Sequence, residues 1–173
     1  MMTSREYFKG INIVYMALLA GQVFFILIAL FLFYYGRFNV GAAELSEFLI
    51  YIVPVFVIAG ILASNFLYRK RISVIKQKKE LAEKLNDYRS ILIIRLALLE
   101  GPSFFAIVCY LLTAQLIYLA FSALIIFIFL TVRPTRIRVI TDLELNMDEQ
   151  KRINDPESLV ANNPPDEISW GKD

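Results

Sequence analysis

Histidine is absent from these 173 residues, and cysteine occurs once, as Cys109. Without an imidazole there can be no His-ligated metal centre, Ser-His-Asp triad or His proton shuttle. One thiol supplies neither an internal disulfide nor a CxxC site. Charge is scarce as well, at 20% of residues, where an average soluble domain carries about 25%. The net charge of +2 falls far short of the basic footprint of a nucleic-acid-binding protein. No glycine-rich nucleotide loop, metal cluster or catalytic pair is written into the chain. The expectation is therefore a protein that is not an enzyme, with no cofactor, no metal and no nucleic-acid partner.

What is abundant is apolar sequence, 58% of the chain. Residues 11–35 contain no charge, and a bilayer core about 30 Å thick needs roughly 20 apolar residues as helix. A secretory leader, whose apolar region runs about 7–15 residues, is too short to explain this stretch. Further apolar segments lie at about 47–68, 91–112 and 116–132, with Thr113, Ala114 and Gln115 alone between the last two. The fold expected is all-α and polytopic. Four transmembrane helices form two hairpins, with a helical cytoplasmic arm at 69–90 and an acidic cytoplasmic tail at 133–173. Residues 1–10 form a short cytoplasmic N-terminus, and 11–132 the transmembrane domain.

Orientation follows from lysine and arginine, which stay on the cytoplasmic side of short connections. Arg5 and Lys9 precede the first span, eight basic residues occupy 69–90, and Arg133, Arg136 and Arg138 follow the fourth. The opposite face holds Arg37. A multi-pass protein of the plasma (inner) membrane with both termini in the cytoplasm is expected.

An internal repeat relates the first and third spans at an offset of 80 residues. Six positions of Ala17–Phe25 are identical to their counterparts in Ala97–Phe105. Duplication of a two-helix hairpin explains this, as does chance matching between apolar sequences. Gly21 and Gly101, and the small-residue pairs Ala17/Gly21, Ala59/Ala63 and Gly60/Ser64, are expected to let helices approach closely. The copies differ at their centre, where Ala20 corresponds to Glu100 and Gln22 to Pro102.

Glu100 is the charge that the membrane should resist. Each central Leu, Ile, Phe or Val contributes about −0.3 to −0.6 kcal/mol to insertion, whereas a central charge costs about 2.5–3.5 kcal/mol. Arg95, nearer the cytoplasmic end, is expected to snorkel out. Glu100 is expected to face protein. Pro102 has no N–H and frees the carbonyl of Leu98, so Glu100, Pro102 and Ser103 form a candidate intramembrane polar, ion or proton site. Gln22 or Asn65 would serve as its neighbours. The competing use of Glu100 is a hydrogen bond that ties helices together.

No glycine or proline occurs between Ile61 and Glu100, so the second span is expected to continue as a basic helix. Val74, Leu81, Leu85 and Tyr88 would share one stripe, with a break at Asn86–Asp87 and Ser90 capping the third span. Arg69, Lys70, Arg71, Lys76, Lys78 and Lys79 are candidates for gripping anionic lipid head groups or a partner. In the tail, Asn146 and Glu149 fit a capping box that opens a short helix through Ile153. Beyond Pro156 the chain, with its 162–165 Asn-Asn-Pro-Pro run and lone Trp170, reads as extended or disordered. The tail could fold back on the basic arm, dock a soluble partner, or stay solvated. Two functions remain open. The leading one is a non-enzymatic component or scaffold of a membrane complex, partnered by the lipid bilayer and by other chains or further copies of itself as a homo-oligomer. The alternative is proton- or cation-linked transport through Glu100.

Overall fold

The computed structural model describes residues 2–36 and 43–161; Arg37, the 162–165 run and Trp170 lie outside them. In chain order the elements are β1 (Met2–Thr3), α1 (Ser4–Tyr34), α2 (Ala43–Ile75), α3 (Leu81–Thr113), α4 (Leu116–Thr131), α5 (Arg136–Leu143), α6 (Met147–Asn154) and β2 (Leu159–Ala161). Among the described residues the architecture is helical apart from one antiparallel two-stranded ribbon, β1 with β2. Helices α1, α2 from Ser46, and α3 are each long and apolar enough to cross a membrane, and a fourth span is reached when α4 is taken together with α5. Alone, the sixteen residues of α4 extend about 24 Å, which is short for a 30 Å core.

The chain folds into two compact units. The first contains the residues up to Ile13, Tyr68–Leu92, and the chain from Pro134. Its N-terminus is tied to the end of the described tail. Ser4 and Arg5 donate their backbone N–H groups to the carbonyls of Ser158 and Pro156, at 2.9 and 3.1 Å. Thr3 and Glu6 close a reciprocal cap, Thr3 N–H to Glu6 Oε2 at 2.9 Å and Glu6 N–H to Thr3 Oγ1 at 3.3 Å. Together these satisfy donors that the first turn of a helix leaves over. Tyr7, Ile72, Ile75, Leu81, Leu85, Tyr88, Val139, Leu143, Ile153 and Val160 are buried in this unit.

The described part of the tail folds back on the arm, in place of a solvated chain. Lys84 Nζ meets Glu149 Oε1 at 2.8 Å with both side chains buried, and Lys76 Nζ meets Glu144 Oε1 at 2.6 Å. Tyr68 donates its hydroxyl to Asp142. Asn146 and Glu149 form the expected capping box at the start of α6. Past Pro156 the chain is extended and pairs as β2, because the N-terminal strand offers it backbone partners.

The arm departs from expectation in three ways. First, α2 ends at Ile75, and α3 runs unbroken through Asn86 and Asp87 from Leu81. The turn at residues 76–80 is held by Lys78, whose ammonium reaches Asp87 at 3.0 Å and Glu83 at 3.4 Å. Breaking the helix at Asp87 instead would separate Leu81 and Leu85 from Leu92 and Leu96, which continue the same buried face. Second, Val74 is 56% exposed, and Ile72 and Ile75 point into the core in its place. Third, Ser90 lies inside α3 and donates to the Asn86 carbonyl one turn back, so it caps nothing.

The second unit comprises Val14–Leu67 and Ile93–Arg133. α3 buries Leu96, Leu99, Ser103, Ala106 and Tyr110, and α4 buries Tyr118, Ser122, Ile125 and Phe129. These steps of three and four mark a face that packs on other helices. Phe25 stacks edge-on with Phe104, and Phe33 lies against Tyr110, so α1 and α3 run parallel. Tyr15 stacks on Phe129, and its hydroxyl donates to the Phe129 carbonyl at 3.2 Å. Of the three residues expected to form a tight hairpin, Thr113 ends α3, and Ala114 and Gln115 join it to α4, with Ala114 in the left-handed region at φ 60°.

Candidate functional site

The polar residues singled out in the sequence all fall in the second unit, on different faces. At Pro102, α2 and α3 approach closely. A Cβ at Gly60 would lie 2.5 Å from Pro102 Cγ and 3.0 Å from the Leu98 carbonyl oxygen. The carbonyl that Pro102 deprives of its helical donor therefore faces Gly60. One turn along, Ser64 donates its hydroxyl to the Arg95 carbonyl at 3.4 Å. The Gly60/Ser64 pair is thus the small-residue contact. Gly21 and Gly101 are not: a Cβ at either meets nothing within 4 Å, and Ala17, Ala59 and Ala63 are exposed. The repeated glycines sit away from neighbouring helices, so the close approach expected of them is corrected.

Arg95 does not snorkel. It is buried, and its guanidinium donates to Asn65 Oδ1 at 2.9 Å. Asn65 on α2 lies within reach because α2 and α3 are antiparallel here, and a charge-assisted bond in an apolar setting is stronger than the same bond in water. Asn65, considered beforehand as a neighbour of Glu100, is committed to Arg95.

Ser103 and Glu100 are also separated. Ser103 is fully buried, and its hydroxyl pairs with that of Ser122 on α4 at 2.8 Å. Glu100 lies three residues earlier, about 60° round the helix, and is half-exposed, between the exposed Ala97 and Gly101. The carboxylate expected to face protein thus sits on the flank of α3. Among the described residues it has no hydrogen-bond or ion-pair partner. Gln22 on α1 is fully buried, and neither its Nε2 nor its Oε1 has a hydrogen-bond partner. Ser122 was missed as a site residue. Lone polar residues within the spans were the available signal, and which of them meet is decided by helix packing.

In the first unit the six basic candidates divide. Arg69, Lys70 and Arg71 are exposed on α2. Lys76 and Lys78 are engaged by Glu144, Asp87 and Glu83. Lys79 lines a surface pocket of about 410 Å³ with Glu80, Asn146, Asp148 and Arg152. The basic surface left for an anionic partner is therefore smaller than the sequence count implied. Compared with known protein families, curated proteins and solved structures, the chain matches none of them.

Proposed function

We propose that this chain is a four-span protein of the plasma membrane that serves as a non-enzymatic component or scaffold of a membrane complex, with both termini in the cytoplasm. The observation that carries the reading is the position of Glu100. A charge near the middle of a span costs about 2.5–3.5 kcal/mol, and here it lies half-exposed on the flank of α3. A neighbouring chain or a second copy packed on that flank would remove the carboxylate from lipid. The other polar groups support the same use, since Ser103 with Ser122 and Arg95 with Asn65 join helices, and Gln115, just before α4, reaches Ser46 on α2.

The topology has its own support. The N-terminus, the 69–90 segment and the chain after Pro134 are the three parts that the lysine and arginine distribution assigns to the cytoplasm, and all three belong to the first unit. Arg69, Lys70 and Arg71 would then face the head groups of the inner leaflet.

The test is the mass of the tagged protein extracted in mild detergent. A complex well above the 19.9 kDa of one chain is expected, and Glu100→Leu should loosen it. A monomer in every mild detergent overturns the proposal. The second reading, proton- or cation-linked transport, is favoured by the same unpaired carboxylate. Ion flux in reconstituted vesicles that is present in the wild type and lost in Glu100→Gln would establish it. Equal flux in both, or none in either, would dismiss it.

A further inference from the structure

We infer that Gln22, Ser103 and Ser122 form a built intramembrane binding site for water, where α1, α3 and α4 meet. Tyr15 and Phe129 fix the register of the antiparallel α1–α4 contact, stacked at 5.4 Å. Seven residues are almost two full helical turns. Seven steps along α1 from Tyr15 lead to Gln22, and seven steps back along α4 from Phe129 lead to Ser122. Both return to the contacting face, so Gln22 and Ser122 stand opposite each other at one level. Ser103 joins them from α3 through its 2.8 Å hydroxyl pair with Ser122. Phe25, one turn on from Gln22, packs on Phe104, which brings α1 to α3 at the same level.

All three side chains are fully buried. Whichever serine donates to the other, the second hydroxyl keeps a hydrogen without an acceptor. Gln22 keeps two donors and an acceptor, and no direct bond joins it to either serine among the described residues. In an apolar interior an unmade amide hydrogen bond is strongly unfavourable. A small neutral molecule that both donates and accepts can bridge the Gln22 amide and the remaining serine hydroxyl, and buried waters characteristically make two to four such bonds. Ions are disfavoured, because Gln and Ser supply dipoles and no countercharge.

The decisive measurement is magnetisation transfer from water to the Gln22 side-chain amide, by solid-state NMR on the full chain in liposomes. Transfer several-fold stronger at Gln22 Nε2 than at the backbone amides of Val23 and Phe24, and weakened in Ser122→Ala, is expected. Absence of transfer at Gln22 in the wild type overturns the inference. Gln22→Leu supplies an independent check. Loss of a hydrated site lowers the unfolding temperature, whereas a higher one means that the amide was dry and orphaned, and the inference fails.

Discussion

Gly60, Gly21 and Gly101 all sit inside long helices, yet the structure gives them unequal roles. A methyl group at Gly60 must displace the rigid ring of Pro102 or push α2 away from the Leu98 carbonyl. Forcing atoms into a packed contact costs about 1–3 kcal/mol. At Gly21 and Gly101 the added methyl meets open space, and alanine regains the roughly 0.5–1 kcal/mol that glycine forfeits in a helix. Thermal unfolding in a common detergent should therefore rank Gly60→Ala below the wild type, with Gly21→Ala and Gly101→Ala level with it or above. Equal losses at all three positions would mean that Gly60 and Pro102 do not form the contact. The sequence repeat pointed to the wrong glycines because it records which residues recur along the chain, and the face each presents depends on what packs against it. Glu100 and Ser103 teach the same point. Their spacing put them on one side of a helix, and the boundary of the buried face runs between them.

Helix boundaries were legible where the deciding residues are close in sequence. Asn146 and Glu149, three residues apart, announce the start of α6. Thr3 and Glu6 carry the same signature at the start of α1, which sequence reading passed over. The turn between α2 and α3 has no such signature, with no glycine or proline near it. It is set by Lys78 closing on Asp87 and Glu83, and by the burial of Ile75 with Leu81 and Leu85. The Asp87 hydrogen bond holds the Lys78 ammonium above its ordinary value of 10.5. A group whose folded value is raised contributes its stability fully below the unfolded value and loses it as pH rises through the folded one. Alkaline titration above about pH 10.5 should therefore loosen this turn in the wild type, read by amide exchange at residues 76–83. Lys78→Met should lose that pH dependence, and an unchanged alkaline profile in the variant would remove Lys78 from the explanation.

The α3–α6 contact depends on one buried pair. Lys84 and Glu149 lose most of their contact with water, and Glu149 also accepts the Asn146 amide with its other oxygen. Removing one partner of a buried pair strands the other charge and typically costs about 3–5 kcal/mol, whereas replacing both with apolar residues is often close to neutral. Lys84→Met should thus destabilise the first unit strongly. Lys84→Met with Glu149→Leu should recover most of the loss, short of the lost cap, worth about 1 kcal/mol. Denaturant unfolding of the full-length variants measures both, and additive losses in the double variant would show that the pair is not coupled.

At the scale of the whole molecule, the placement of the basic residues and the composition of the first unit bear on the same question. The proposed four-span topology would put the chain before α1, between α2 and α3, and after α4 on one side, and segments from those three places share one folded unit. The same topology would put the 113–115 connection on the other side. Ser46 and Gln115, 2.8 Å apart, fit this arrangement, because each lies at the end of its helix nearest that side. Single cysteines introduced into a Cys109→Ala background report the sides directly. At positions 9, 79 and 137 they should react with a membrane-impermeant thiol reagent only after the inner face is opened. At positions 37 and 114 they should react in sealed spheroplasts. If position 137 instead labels from outside while position 79 does not, α4 fails to complete its crossing, and its sixteen residues lie in the membrane without spanning it.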